Sequence, residues 1–447
     1  MTNEKYGLIG KTLVHSYSKE IHEALGRYQY QLFSLAEDEM PDFINARDFR
    51  GLNVTIPYKK DVIPLCDEVT DLARGIGAVN TLFWKNASGT GSSESISQED
   101  KILVGHNTDY EGFLYAASRA GIDFEGKGVL ILGTGGTSLM ARRAAADQNA
   151  AKIYIASRHP ETDPPSGSEI QDAGILSTVS YDQLPEIADS IDVIVNTTPV
   201  GTFPNNMQQV IRLKDFPGCQ AVIDVIYNPF KTALLLEAEK LGLKYTNGLP
   251  MLVAQATAAA GYFLGTPGAF QKENQRIIKS MKQRMGNIVL IGMPGTGKSL
   301  IGKFLAELTG KTLQDTDAKI EEEAKMTIPE IFEKEGEAGF RDREAAICKK
   351  LGKERNLIIA TGGGAILRPE NVAALRQNGT LVHITRSIDK LPTRGRPLSK
   401  NIETLKKMEA QRIPLYKAAA DITFRNNYTC SRKKLRQRVN TYILEKL

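Results

Sequence analysis

Short apolar runs alternate with polar turn residues and helical patterns through the first hundred positions of the chain. YGLIG, GLNVTI and AVNTLFW are such runs, and all lie between residues 6 and 101. Strand-sized runs separated by helical periodicity predict an α/β arrangement. Residues 86–100 (NASGTGSSESISQED) are small and polar, which predicts a flexible hairpin or surface loop without chemistry of its own.

From Lys127 the pattern becomes a regular succession of strand and helix. GVLILG is followed by a helical pattern as far as Gln148, and then by KIYIAS, DVIVNTT and AVIDVIY. Strands that are apolar at nearly every position are buried on both faces. This stretch therefore predicts a parallel sheet covered by helices on both sides, as in the Rossmann fold.

The regular pattern lapses at residues 265–286 (GTPGAFQKENQRIIKSMKQRMG). A Pro/Gly break followed by a charged helical stretch predicts a linker. From Asn287 a strand, a glycine loop and a helix follow one another again, which is how a second nucleotide-binding domain begins. The two glycine loops differ in type, so we find no internal repeat.

The composition indicates the class of protein but not the reaction that it catalyses. The 447 residues are 41% apolar and 24% charged with a net charge of +5, which fits two to four globular domains and anionic substrates. The basic tail 431–447 predicts a solvated amphipathic helix rather than a nucleic-acid surface. Four cysteines without CxxC spacing fit a reducing compartment. With no signal peptide and no run long enough to cross a bilayer, we expect a cytoplasmic protein without membrane or nucleic-acid partners.

The second glycine loop, residues 292–299 (GMPGTGKS), matches the complete nucleoside-triphosphate loop after the strand NIVLI. Its glycines allow consecutive backbone N–H groups to point at phosphate oxygens, and the following helix adds its positive end. Lys298 is placed to bridge the β and γ phosphates of ATP, and Ser299 to hold Mg²⁺. The predicted nucleotide-binding residues of this loop are Gly292, Gly295, Thr296, Gly297, Lys298 and Ser299.

Residues 287 to about 428 resemble the shikimate kinases, beginning with the acidic pair of Asp315-Thr316-Asp317. The resemblance implies that Asp315 acts near Mg²⁺, and that Asp317 holds the shikimate hydroxyl and helps to activate it. IPEIFEKEGEAGFRDRE resembles the substrate-binding motif of that family. It implies that Arg341 is a carboxylate ligand and that Glu344 orients it.

Three further segments extend this resemblance. TGGGA (361–365) implies that bare backbone at Gly363 lies against the substrate, and RIPLY implies that Arg412 is a second carboxylate ligand. RGRPL resembles the end of a mobile lid, with Arg396 reaching the γ-phosphate. The lid segment, 387–396, is short, so the adenine contacts and the individual arginine roles stay open. Each arginine alone could be a surface residue, whereas two together can clamp a planar carboxylate.

The first glycine loop, GTGGT, follows the strand GVLIL and opens a helix. Glycine turns also occur for packing alone, so the loop indicates a dinucleotide site only together with the residues around it. The next strand ends in Ser157-Arg158-His159, without the acidic residue that binds a ribose 2′-hydroxyl in NAD enzymes. Arg158 suits a 2′-phosphate, although a solvated strand-end arginine is the alternative. The predicted NADP-binding residues of this region are Gly133, Gly135, Gly136, Ser157 and Arg158.

Residues 6 to about 265 resemble the shikimate dehydrogenases over eight ordered segments. The segments are YGLIGKTLVHSYSKEIHEA, GLNVTIPYKK, GAVNTL, GHNTDYEG, GTGGT, NTTPVGTFP, DVIYNP and NGLPMLVAQA. The resemblance implies that Lys59 and Asp109 are catalytic and that Gly248 lies near the nicotinamide. The implied substrate ligands are Ser16, Ser18, Thr55, Asn80, Tyr227 and Gln255, with Asn53 in the same motif as Thr55.

Reduction of the C3 ketone of 3-dehydroshikimate requires a proton on oxygen, and Lys59 oriented by Asp109 can donate or relay it. Taken singly, Lys59 could be a surface lysine and Asp109 a helix cap. Two positions depart from the family pattern. Lys19 stands where a proline is usual, and Pro250 where a glycine is expected. His15, His22 and His106 show no metal-ligand spacing.

We therefore expect a bifunctional enzyme that reduces 3-dehydroshikimate with NADPH and phosphorylates shikimate with ATP and Mg²⁺. A dehydrogenase half acting on quinate with NAD, or one half that binds its ligand without turnover, are the alternatives. The expected domains are an α/β substrate domain (1–110 and 243–270), an NADP-binding Rossmann domain (111–242), a linker (271–286) and a P-loop kinase-like α/β domain with a central parallel sheet (287–447). The sequence leaves oligomeric state, linker rigidity and transfer of shikimate between the sites open.

Overall fold

The computed structural model describes residues 5–13, 16–86, 101–162, 174–391, 402–427 and 431–447. Residues 87–100 of the loop predicted at 86–100, His15 and the predicted lid residue Arg396 lie outside these ranges, whereas Asn86 ends a strand. The chain divides into two compact units. The first comprises Met1–Val200, Gln209–Phe230 and Leu234–Lys279, and the second Gly201–Gln208, Lys231–Ala233 and Ser280–Leu447.

The first unit contains a mixed six-stranded sheet formed by the N-terminal part of the chain. Its strands are β1 (Tyr6–Gly10), β2 (Tyr30–Ser34), β3 (Gly51–Val54), β4 (Glu68–Val69), β5 (Thr81–Asn86) and β6 (Lys101–His106). Their order is β2-β1-β3-β5-β6-β4, with β5 antiparallel to both β3 and β6. The associated helices are α1 (Ser18–Glu23), α2 (Glu39–Asn45) and α3 (Asp71–Ile76).

A second six-stranded sheet in the same unit is entirely parallel. Its strands are β7 (Gly128–Leu132), β8 (Lys152–Ser157), β9 (Leu176–Ser180), β10 (Val193–Asn196), β11 (Ala221–Asp224) and β12 (Lys244–Thr246), in the order β12-β11-β10-β7-β8-β9. Apolar clusters cover both faces, one around Ile131 and the other around Leu130. The order reverses at β7, so the first glycine loop lies at the switch point where ligands bind in such sheets. The predicted Rossmann fold is confirmed.

Helices connect and cover the strands of this second sheet. They are α4 (Asp109–Arg119), α5 (Gly136–Asp147), α6 (Leu184–Ile187), α7 (Ala233–Leu241) and α8 (Gly248–Phe263). The last of these also closes the N-terminal sheet, because Ala259 and Phe263 share a core with Tyr6, Leu8 and Tyr30. The chain thus returns to its first strands after the parallel sheet is complete. Helix α9 (Asn274–Met285) follows.

The second unit is built on a five-stranded parallel sheet in the order β14-β15-β13-β16-β17. Its strands are β13 (Asn287–Ile291), β14 (Thr312–Asp315), β15 (Leu357–Ala360), β16 (Gly379–Thr385) and β17 (Ile422–Arg425). Its helices are α10 (Lys298–Thr309), α11 (Thr316–Ala324), α12 (Ile328–Lys353), α13 (Pro369–Arg376), α14 (Ile402–Ala419) and α15 (Arg432–Ile443). Clusters around Val289 and Leu290 bury the two faces of the sheet. Within the described residues, no helix has the length and apolarity that a membrane span requires.

Two candidate active sites

The first unit contains a cavity of about 390 Å³, into which distant parts of the sequence converge. Its walls include Ser16, Ser18, Asn53, Thr55, Lys59, Asn80, Asp109, Tyr227, Gly248 and Gln255. These are the predicted substrate ligands and the predicted catalytic pair, together with the glycine expected near the nicotinamide. The fold therefore brings to one cavity residues that the sequence separates by more than two hundred positions.

Lys59 and Asp109 form an ion pair in the wall of this cavity. The Nζ of Lys59 donates a hydrogen bond to the Asp109 Oδ2 at 2.5 Å, and the side chains are only 24% and 15% exposed. Asp109 is the first residue of α4, so the start of that helix fixes the position of its backbone, and the bond to Lys59 holds its carboxylate. An oriented ammonium group facing a cavity can donate a proton to an oxygen held there.

Two asparagines in the cavity are held in defined orientations by neighbouring groups. The Oδ1 of Asn80 accepts hydrogen bonds from the Thr108 backbone N–H (2.7 Å) and the Thr81 hydroxyl (2.9 Å). The Oδ1 of Asn53 accepts one from the hydroxyl of Tyr30 at 2.7 Å. Sequence reasoning missed Tyr30, because a tyrosine in a strand has the pattern of a core residue and nothing in its spacing shows the hydroxyl contact.

Both departures from the family pattern are accommodated at helix starts. Lys19 is the second residue of α1, and its Nζ donates a hydrogen bond to the Tyr30 carbonyl at 3.0 Å. Pro250 is the third residue of α8, where its missing N–H breaks no intrahelical bond. Asn247 caps this helix by accepting a hydrogen bond from the Leu249 N–H at 3.0 Å. The backbone around the cavity thus keeps regular helix starts.

The first glycine loop joins β7 to the N-terminus of α5. Gly133 has a φ of +102°, which an L side chain rarely adopts, and a Cβ there would contact Thr197 at 3.0 Å. The space next to Gly135 and Gly136 is open, since a Cβ at either position would meet nothing within 4 Å. A helix N-terminus with open space before it can accept a pyrophosphate.

The end of the neighbouring strand β8 carries the residues predicted to select the cofactor. Ser157 is buried, and its hydroxyl accepts a hydrogen bond from the His159 backbone N–H at 2.9 Å. Arg158 is exposed at the same strand end. Its charge therefore remains available to an anion bound along this edge of the sheet.

The second unit contains a larger cavity of about 610 Å³ at the carboxyl end of its parallel sheet. Its walls include Gly295, Gly297, Lys298, Ser299, Asp315, Asp317, Arg341, Glu344, Gly363 and Arg412. Gly292 and Thr296 are not part of this wall. The Thr296 hydroxyl instead donates a hydrogen bond to the Met293 carbonyl at 2.9 Å, so it supports the loop from behind.

Charged groups in the nucleotide loop are held close to the cavity. The Nζ of Lys298 donates to the carbonyls of Gly292 (2.8 Å) and Met293 (3.1 Å). The Ser299 hydroxyl donates to the Asp315 Oδ2 at 3.0 Å. A hydroxyl and a carboxylate side by side are hard oxygen ligands, which Mg²⁺ prefers while keeping water and phosphate oxygens as its other ligands. These two residues therefore fit a magnesium ion.

Two arginines at the far side of this cavity are fixed by the protein. The Nη1 of Arg341 donates to the Glu344 Oε2 at 2.7 Å, and Glu344 is fully buried. The Nη1 of Arg412 donates to the Gly363 carbonyl at 2.8 Å. The hydroxyl of Tyr416 donates to the same carbonyl at 2.6 Å. Protein groups thus hold both guanidinium groups in place.

Several buried polar atoms of this cavity have no partner among the described residues. They are Asp317 Oδ1, Glu344 Oε1 and Arg412 Nε. Burial first, and then the charges of Asp315 and Glu344, raise the pKa of Asp317 to about 6. A Cβ at Gly362 would lie 2.6 Å from Asp317 Oδ1 and 2.8 Å from Glu344 Oε1, so only glycine fits there. Unpaired buried polar groups are costly, which points to a polar ligand.

Comparisons with known proteins match the two parts of the chain separately. The family model "Shikimate dehydrogenase substrate binding domain" matches residues 8–82, and the model "Shikimate kinase" matches residues 294–447. Shikimate dehydrogenase (NADP(+)) from Caldicellulosiruptor bescii is 35% identical over 57% of this chain and 88% of that protein. Shikimate kinase from Nitrosomonas europaea is 46% identical over 31% of this chain and 69% of that protein.

A solved structure resembles the first part of the chain. It is a chorismate mutase/shikimate 5-dehydrogenase fusion protein from Clostridium acetobutylicum, with a TM-score of 0.54 and 32% identity. The match covers 63% of this chain and 98% of that one. The relatives therefore assign the two parts of the chain to two different families.

Proposed function

Because the chain belongs to the shikimate dehydrogenase family in its N-terminal part and to the shikimate kinase family in its C-terminal part, we propose that it catalyses two consecutive reactions. It is a bifunctional enzyme of the shikimate pathway, with one oxidoreductase and one phosphotransferase site. The first reduces 3-dehydroshikimate with NADPH, and the second transfers the γ-phosphoryl group of ATP to shikimate. The observation that carries this proposal is that each cavity brings together side chains predicted for one reaction, Lys59 and Asp109 in the first and Lys298, Asp317, Arg341 and Arg412 in the second.

In the dehydrogenase site the chain supplies a proton and holds the substrate in the orientation that the reaction requires. NADPH supplies hydride when bound. Lys59, held by Asp109 at 2.5 Å, donates a proton to the ketone oxygen as it gains charge. Asn80 and the other polar wall residues bind the hydroxyl groups of the substrate, so that its reacting carbon faces the glycine loop edge of the cavity.

In the kinase site the chain supplies positioning and charge neutralisation, which dominate phosphoryl transfer. Arg341 and Arg412 bind the substrate carboxylate, and Asp317 accepts a hydrogen bond from the hydroxyl to be phosphorylated. Lys298 moves from the loop carbonyls that it now contacts to the phosphate oxygens. Ser299 and Asp315 would hold Mg²⁺, which neutralises phosphate charge when bound.

We also propose the domain division expected from the sequence, with residues 1–110 and 243–270 forming the substrate domain. The apolar core that Ala259 and Phe263 share with Tyr6 and Leu8 supports it, because it joins the returning helix α8 to the first strands. Residues 111–242 form the NADP-binding domain, 271–286 the linker and 287–447 the kinase domain.

Assays of each reaction alone test the proposal. The purified protein is expected to oxidise NADPH when given 3-dehydroshikimate, and to release ADP when given shikimate, ATP and Mg²⁺. The absence of both reactions over a range of pH and Mg²⁺ concentrations would refute it. Quinate with NAD, tested in parallel, is expected to be the poorer pair.

Replacement of Arg158 is expected to weaken the preference for NADPH. Arg158→Ala removes the exposed guanidinium at the end of β8, so the KM for NADPH should rise about tenfold, the loss typical of a charge-assisted hydrogen bond. The KM for NADH should change less than twofold, because that cofactor has no 2′-phosphate. Steady-state kinetics with both cofactors measure this, and an equal rise for both would contradict the assignment.

Replacement of Asp317 is expected to stabilise the second unit while inactivating it. Its raised pKa, about 6, means that the folded state binds the proton more tightly than the unfolded state. The ionised form therefore destabilises the fold increasingly as pH rises through 6. Asp317→Asn should raise the free energy of unfolding by about 1–3 kcal/mol at pH 8, and the gain should disappear near pH 4.

Thermal unfolding without Mg²⁺ measures this effect. The relevant transition is the one that Mg²⁺ and ATP shift upward in the unmodified protein, since a ligand stabilises the unit that binds it. Asp389→Asn, at an exposed position, is the matched control and should leave the transition unchanged. If the free energy of unfolding of the Asp317→Asn protein at pH 8 is lower than that of the unmodified protein, or equal to it, then the ionised carboxylate does not destabilise the fold.

A further inference from the structure

Asn426 contacts the nucleotide loop from outside the cavity. It directly follows β17 and is 7% exposed. Its Nδ2 donates a hydrogen bond to the Thr296 carbonyl at 2.7 Å, across 130 positions of sequence. Its own backbone N–H donates to the Thr385 carbonyl at 2.7 Å, which anchors Asn426 to the adjacent strand.

The contact fixes the direction of one peptide group in the loop. In a trans peptide the C=O and the following N–H point in opposite directions. Because the Thr296 carbonyl points at Asn426, the N–H of Gly297 points away from it. Gly297 lies in the wall of the cavity, and a Cβ on it would lie 2.6 Å from the Asn426 Nδ2. Asn426 therefore packs against the outer side of this peptide.

Glycine makes an external restraint necessary at this point. Gly297 has a φ of +96°, and glycine populates positive and negative φ about equally, so the Thr296–Gly297 peptide has little intrinsic preference. If the peptide rotated, the carbonyl oxygen would point toward the bound phosphate and repel it. The hydrogen bond from Asn426 opposes that rotation.

We propose that Asn426 is a positioning residue of the phosphate site, which holds the Thr296–Gly297 peptide so that its N–H is directed at the nucleotide phosphates. The inference rests on the proposed kinase function for the identity of the ligand. Asn426 does not touch substrate. It acts through the loop, and its effect is therefore on nucleotide affinity rather than on recognition of the phosphate acceptor.

Two substitutions in the full chain test this role, with Mg²⁺ and ADP as the probe. Asn426→Ala removes the donor, and Asn426→Asp keeps the shape of the side chain but places a charged acceptor against the carbonyl. Calorimetry is expected to show that the Kd for ADP rises about tenfold for the alanine variant, the usual effect of leaving one buried acceptor unpaired, and at least as much for the aspartate variant. The KM for ATP should rise in parallel, while the KM for shikimate at saturating ATP stays within twofold.

Asn378→Ala is the matched control. Asn378 is also a buried asparagine that donates to backbone carbonyls, those of Gly352 and Lys353, but it does not line the cavity. Its replacement should leave the Kd for ADP unchanged, and the dehydrogenase reaction reports the concentration of intact chain in every variant.

The inference is overturned if ADP affinity is unchanged in Asn426→Asp, if Asn378→Ala weakens it equally, or if shikimate binding is lost together with ADP binding. Absence of phosphoryl transfer to shikimate in the unmodified protein would instead refute the proposed function, because ADP binding is measured independently.

Discussion

Lys59→Ala is expected to lower kcat/KM for reduction of 3-dehydroshikimate by about 10²–10⁴-fold, the usual contribution of a general acid. The ammonium group lies in the cavity wall, bonded to Asp109 at 2.5 Å, and among the residues that the structure describes no second lysine lines that cavity. The change should fall on kcat more than on the KM for NADPH, because the glycine loop proposed to bind the cofactor is untouched. Steady-state assays of NADPH oxidation measure kcat and both KM values.

The kinase reaction of the same protein is the control for this variant. Lys59 belongs to the first unit and lines only the first of the two described cavities, so ADP release with shikimate should be unchanged. Asp109→Asn is the matched substitution at the partner, and it should lower the same reaction while keeping the shape of the side chain. A Lys59→Ala protein with an unchanged dehydrogenase rate would show that another group delivers the proton.

Lys298→Ala is expected to have the converse effect. Removing the ammonium group from the phosphate loop should lower kinase kcat/KM by about 10²–10³-fold, comparable with the loss of one preorganised group that stabilises transition-state charge. Lys298 is 9% exposed and donates to the carbonyls of Gly292 and Met293 in its own loop, which holds its ammonium group close to the phosphates that enter. NADPH oxidation with 3-dehydroshikimate should be unaffected.

Loss of both reactions from either lysine substitution would contradict independent sites. Lys303→Ala is a suitable control for Lys298→Ala, since Lys303 lies five residues further along α10 and does not line the cavity. It should leave both reactions unchanged. Measured together, Lys59→Ala, Lys298→Ala and Lys303→Ala separate the loss of a reacting group from a general disturbance of helix α10.

The sequence predicted the parts of the fold whose signal is local. Continuous apolar strands such as GVLIL and NIVLI are buried on both faces in the structure, as their pattern indicated. The glycine loops lie at the ends of those strands, because parallel strands place their following loops at one edge of the sheet. The convergence of Lys59 and Asp109 was expected only through resemblance to a family. Nothing in their spacing of fifty residues requires it.

The residues that sequence reasoning missed act through side-chain contacts between distant segments. Tyr30 orients Asn53 through its hydroxyl, and Asn426 holds the carbonyl of Thr296. A buried tyrosine and an asparagine after a strand are both common for reasons of packing and turn formation, so neither pattern marks a site. Thr296 stays a predicted nucleotide contact from its place in the motif, and the hydrogen bond of its hydroxyl to the Met293 carbonyl could not be predicted from the sequence.

The most direct test of two consecutive reactions on one chain is a single mixture that contains the unmodified protein, NADPH, ATP, Mg²⁺ and 3-dehydroshikimate as the only acceptor. We expect NADPH to be oxidised first and ADP to appear after a lag, with the two amounts becoming equal as shikimate is consumed. Oxidation of NADPH without release of ADP, or release of ADP that does not depend on NADPH, would contradict the account.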